Sequence, residues 1–146
     1  MIAPVILAVV AAIAGHPVRV ACDADVNPSP VPTVPGAVVT AWTMTGGDTI
    51  HAMPYICDET NAQMTTFWFA DGLSTMIHEA SHARGVRREA CAEMIADIGV
   101  YDVLRRFYGV PFFSPMSVMV GRRVLEVTRS APASYQPEAC WAGAPS

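Results

Sequence analysis

The chain has no lysine; its nine basic residues are all arginine, set against thirteen acidic residues for a net charge of −4. The arginines stand singly or in pairs, so no basic stripe exists to follow a phosphate backbone, and a nucleic-acid partner is not expected. No Cys-x-x-Cys pair occurs among the four cysteines, which argues against a thiolate-ligated zinc. There is no internal repeat and no long low-complexity run. The one extended apolar run, residues 1–14 (MIAPVILAVVAAIA), is too short to span a bilayer comfortably. No proline falls between Pro54 and Pro111, so nothing in that interval interrupts helices.

What is present fits one domain. The 146 residues are 52% hydrophobic and include 12 prolines, which suggests a well-buried helical part joined to proline-stiffened segments. The N-terminal apolar run has the character of an export signal, although no Lys or Arg stands near Met1. Ala12-Ile13-Ala14 has the small-x-small form of a cleavage site, and Ala21 offers a second. The expected organisation is therefore a signal over residues 1–21 and one domain over 22–146, with a Pro-rich segment (22–36) and an irregular tail (130–146). Secretion or residence in the cell envelope follows, with no stable membrane span once the signal is cleaved.

Four cysteines in an exported small domain suggest two disulfides, for which three connectivities exist. The pairing expected is Cys22–Cys57 and Cys91–Cys140. The first would tie the N-terminal segment to the entry of the helical part, the second the tail to the helix carrying Cys91.

The fold class expected is α+β, mainly α. Val18–Cys22 alternates like a strand. Ala37–Met44 and Thr49–Cys57 read as a small hairpin or irregular strand pair around Gly46-Gly47-Asp48. Asp58 or Thr60 can cap a helix from about Asn61 to Arg84, which Gly72 would bend or split and Gly85 would end. A second long helix over Val86–Tyr108 completes an antiparallel hairpin, and a further helix near Ser117–Arg129 follows. Arg122, Arg123 and Arg129 are expected on its solvated face, and Phe67, Trp68 and Phe69 in the core.

The first of these helices carries His78-Glu79-Ala80-Ser81-His82, a His-Glu-x-x-His motif. Residues four apart lie on one helical face, so His78 and His82 can offer two imidazole nitrogens to one metal ion. Glu79, a third of a turn away, can hold a metal-bound water without ligating the metal. The sequence resembles the zincins in this motif. The metzincin version needs a third histidine where this chain has Arg88, which cannot ligate. The gluzincin version takes a glutamate from the following helix, where Glu89, Glu93 and Asp97 recur every four residues. Side chains lean toward their helix N-terminus, and with a tight hairpin this favours Glu93 as third ligand over Glu89, with Asp97 behind it. The alternative is that the acidic stripe is the wet face of the helix, paired with Arg84, Arg87 and Arg88.

The span 78–110 also resembles small exported actinobacterial proteins of unassigned function, in which the motif is followed by Arg-Gly-Val and a Glu-Ala-x-x-Glu stretch. Tyr135–Cys140 is similar to their closing Pro-Glu-Cys segment. The resemblance implies an exported metal-site domain, described in that group as a metallopeptidase. The function expected is zinc-dependent peptide hydrolysis with one Zn2+ per chain, Glu79 as general base and a peptide or protein substrate, which the cell envelope could supply. The oxyanion would also need a donor, for which Tyr101, Tyr108 and His51 are candidates. The alternatives are a non-catalytic domain pinned by structural zinc and a metal-free interaction module.

Overall fold

In the computed structural model of the chain, residues 1–23 and 39–141 are described. Along them run α1 (Pro4–Ala14), β1 (Arg19–Cys22), β2 (Ala41–Thr43), β3 (Thr49–Ala52), α2 (Pro54–Glu59), α3 (Phe67–Arg84), α4 (Glu89–Tyr108), α5 (Pro115–Ser130) and α6 (Pro137–Trp141). A single 3-10 turn, Ala133–Tyr135, precedes α6. The fold is α+β and mainly α, as the sequence suggests. Most of the Pro-rich segment, the first two residues of the Ala37–Met44 strand and the last five residues lie outside the described residues.

Helix α3 is the axis of the domain. Leu73, Met76, Ile77 and Ala80 are fully buried, and the helix packs against α1, α2, α4, α5 and both β2 and β3. A helix covered on so many sides needs no narrow apolar stripe, which is why its polar motif can sit within buried surroundings. Thr66 caps its start, its hydroxyl accepting the Phe69 N–H at 3.3 Å. Asp58 and Thr60 therefore do not cap it, and residues 61–66 form turns instead of its first turns. At the other end Gly85 (φ +114°) takes the left-handed conformation, and the N–H groups of Gly85 and Val86 donate to the His82 and Ser81 carbonyls.

Gly72 neither ends nor splits α3. A Cβ there would lie 2.7 Å from the Glu59 Cβ and 2.9 Å from the Thr60 nitrogen, so the glycine lets α2 lie directly on α3. Helix α2 itself replaces the second half of the extended segment expected over Thr49–Cys57. The strand stops at Ala52, and Pro54 opens the helix, where its missing N–H costs nothing.

The sheet has order β1-β3-β2, with β3 parallel to β1 and antiparallel to β2. The β2–β3 hairpin turns through Gly46 (φ +75°) and docks onto the end of α3, the Gly46 N–H donating to the His82 carbonyl at 2.9 Å. The apolar run read as an export signal is folded into the domain: Ile6, Val9 and Val10 of α1 are fully buried in the core with Met76 and Ile77. Cys22 is bonded to Cys57 and Cys91 to Cys140, the pairing expected. Two disulfides fit an extracellular protein. Among the described residues, no helix is long and apolar enough to cross a membrane.

The tail is more ordered than expected. After α5 the 3-10 turn and α6 fold back onto α4. The Cys91–Cys140 bond fastens this strap, and Arg88 donates to the carbonyls of Ala139 (3.4 Å) and Cys140 (2.9 Å).

Candidate metal centre

His78 and His82 occupy one face of α3, one turn apart, and their Nε2 atoms lie 3.1 Å from each other. Each Nδ1 is committed elsewhere. His78 Nδ1 faces Glu93 Oε2 at 2.9 Å, and His82 Nδ1 faces the Val86 carbonyl at 2.6 Å. An Nδ1 that donates to an oxygen leaves the Nε2 lone pair for another partner, the usual arrangement of a metal-ligating imidazole. Glu89 Oε2 closes the group, 3.0 Å from His78 Nε2 and 3.4 Å from His82 Nε2. One atom from each of His78, His82 and Glu89 lies within 4.8 Å of the others, and this group could hold a metal ion. Two imidazoles and one carboxylate form a donor set that suits zinc.

Among the acids, Glu89 joins the two Nε2 atoms and Glu93 takes the far side of His78, the reverse of the preference drawn from side-chain lean. The reason is the start of α4. The expected helix begins at Val86, but Val86 donates backward to Ser81 in the α3 cap and α4 begins only at Glu89. The four-residue loop 85–88 sets Glu89 in the first turn of α4, beside both histidines. Glu93, one turn on, then falls behind His78.

Glu93 is paired on its other oxygen with Arg123 Nη1. Arg123 also reaches Asp71 (Nε to Oδ1, 3.2 Å) and Asp97 (Nη1 to Oδ1, 3.4 Å). Asp97 was expected behind a ligating Glu93; here it stands beside Glu93 and Arg123, on the side of His78 away from Glu89. Arg123 was expected in solvent; its side chain is 7% exposed. Helical spacing alone could not show this, because Arg122 beside it is exposed and the two read identically.

The site is electrostatically tight. Burial opposes a charge on His78, yet hydrogen bonds to Glu89 and Glu93 outweigh it and raise the ring to about 10. Burial would also raise Glu93, but His78 and Arg123 hold it well below the ordinary carboxylate range. The reverse holds for Glu79, which burial pushes up despite the two histidines. Glu79 is 6% exposed, lies beside Thr43 of β2, and keeps Oε2 without a hydrogen-bond partner.

The remaining neighbour is one the sequence reading missed. Tyr135, carried by the strap, lies parallel to the His78 ring (centroids 6.2 Å apart, 15° between planes) and beside Glu89. Burial first, and then the Glu89 charge, push its phenol well above the usual range. One signal pointed to it: Cys140 is five residues from Tyr135 and is bonded to Cys91, two residues from Glu89. The other donor candidates lie elsewhere. His51 stacks on Trp42 at 4.1 Å and pairs with Asp23, and Tyr108 packs edge-on to Phe69. Tyr101 packs against the core. Comparison with protein-family models, curated proteins and solved structures finds no match for this chain.

Proposed function

We propose that the chain is an exported zinc-dependent metallopeptidase. The observation that carries this reading is the convergence of His78 Nε2, His82 Nε2 and a Glu89 oxygen next to a buried Glu79 with an unpartnered oxygen. His78, His82 and Glu89 would hold the ion, which when bound supplies Lewis acidity and a water acidic enough to attack at neutral pH. Glu79, beside the two histidines, would be the group that takes a proton from an attacking water and returns it to a leaving amine. Tyr135 can donate its phenol proton as a hydrogen bond to the oxygen that develops charge. Because β2 is an edge of the sheet among the described residues and Thr43 stands beside Glu79, an extended peptide adding along β2 would arrive at Glu79.

A second reading, zinc as a structural pin, draws support from the burial of His78, Glu79 and His82 at 6–7% exposure and from Tyr135 beside Glu89. Three proteins separate the two: wild type, His78→Ala and Glu79→Gln, each measured for zinc content and hydrolysis of a peptide library. The peptidase reading expects about one zinc in wild type and in Glu79→Gln, none in His78→Ala, and a loss of at least about 100-fold in hydrolysis on Glu79→Gln. Zinc in wild type without hydrolysis selects the structural pin. Failure of wild type to take up zinc removes both.

A further inference from the structure

We infer that Arg123 is a positioning residue for the metal centre: by gripping Glu93 from α5 it fixes the ring of His78 with Nδ1 turned to Glu93 and Nε2 turned to His82 and Glu89. The inference rests on the zinc reading for its consequence, but its geometry does not. Glu93 has two oxygens and each has one task, Oε2 on His78 Nδ1 and Oε1 on Arg123 Nη1. A carboxylate held on one oxygen alone can rotate about its last bonds, and the imidazole it orients rotates with it. With both oxygens engaged, the plane of Glu93 is set.

Arg123 is itself anchored. Its Nε meets Asp71 of α3 while Nη1 meets Glu93 and Asp97 of α4, so one guanidinium spans both helices of the hairpin. The planar fork is what allows this, since its donors point in fixed and different directions. Arg123 and Glu93 are each 7% exposed at the side chain, so water competes little for either. Helix α5 is therefore more than a cover for the core. It reaches the metal centre through two side chains, although none of its residues touches the metal-ligating atoms of His78, His82 or Glu89.

Arg123→Gln alone would leave Asp71, Glu93 and Asp97 facing one another without a cation. The measured variant is therefore Asp71→Asn/Asp97→Asn/Arg123→Gln, with Asp71→Asn/Asp97→Asn as its control. Two quantities are read in 15N-histidine-labelled, oxidised full-length protein. One is exchange of the His78 Nδ1–H with solvent in the metal-free protein, by NMR. The other is zinc affinity, by competition with a chromophoric chelator.

The control loses two anchors of Arg123 but keeps the Arg123–Glu93 pair, and it sets the reference for both quantities. The triple variant should show Nδ1–H exchange at least about tenfold faster and zinc binding about tenfold weaker, the effect expected of a group that orients a metal ligand. A triple variant that stays within twofold of its control in both measurements overturns the inference. Should wild type take up no zinc, the proposed function fails instead, and the exchange measurement still decides whether Arg123 holds His78.

Discussion

The two sides of the His78 ring are surrounded by similar residues and solve opposite problems. On the Nδ1 side, Glu93, Asp97 and Asp71 gather around Arg123, a permanent cation that can be shared but not removed. On the Nε2 side, Glu89 meets two imidazoles whose only positive charge is a removable proton. One side is balanced by the chain itself. The other can exchange its proton for a different positive charge, and that exchange is what a metal centre requires. The difference lies in the residue that answers the acids, since both sides are mostly buried and both are acidic.

The comparison can be broken most severely on the His82 side. His82→Ala should abolish zinc uptake, weakening it by about 1,000-fold or more, while the metal-free protein keeps a cooperative thermal transition; calorimetry with and without zinc checks both. Removing the permanent cation should do the reverse. Arg123→Met strands three partly buried carboxylates, and about 3–5 kcal/mol of stability should disappear in urea unfolding of the metal-free protein.

Smaller changes sharpen the division. Glu89→Gln should weaken zinc binding about 100-fold, against about tenfold for Glu93→Gln, because one would lose a ligand and the other the partner of a ligand. Equal losses would mean that the two acids share the metal. The smallest effect concerns Glu59, which burial and then the neighbouring Asp71 raise to about 7. A carboxyl whose folded pKa lies above its unfolded value holds an extra proton when folded. Its contribution to stability is complete below about pH 4.5 and is lost as the pH rises through 7. Glu59→Gln should therefore match wild type near pH 4.5 and exceed it at pH 8. The gain should be about 1 kcal/mol at most, since solvent screens a partly exposed group.

The sequence made some of this legible because local rules apply. His78 and His82 share a face by helical period alone, Gly85 ends α3 as a left-handed cap, and Gly46-Gly47 turns the hairpin. The disulfides were also accessible, as four cysteines suggest two bonds and the two bonds tie the segments expected. The remaining features depend on where elements meet. Arg122 and Arg123 are neighbours in one helix, and only the packing of α5 against α3 and α4 buries one and exposes the other. The order of Glu89 and Glu93 turned on α4 starting three residues later than Val86, a difference no periodicity registers. Gly72 looked like a weakness in α3 and is a place where the end of α2 lies too close to admit a Cβ. Tyr135 comes from a tail whose composition suggested no structure.

The strap has a practical consequence at the bench. Cys91–Cys140 holds Tyr135 against the centre, so protein made in a reducing cytosol, or kept in dithiothreitol, would carry that tyrosine on a loosened tail. The same reagent would also compete for zinc as a dithiol. Under the proposed function, the zinc content and hydrolysis of a preparation would record its oxidation history as much as its sequence, and a negative result would say little until its thiols had been counted.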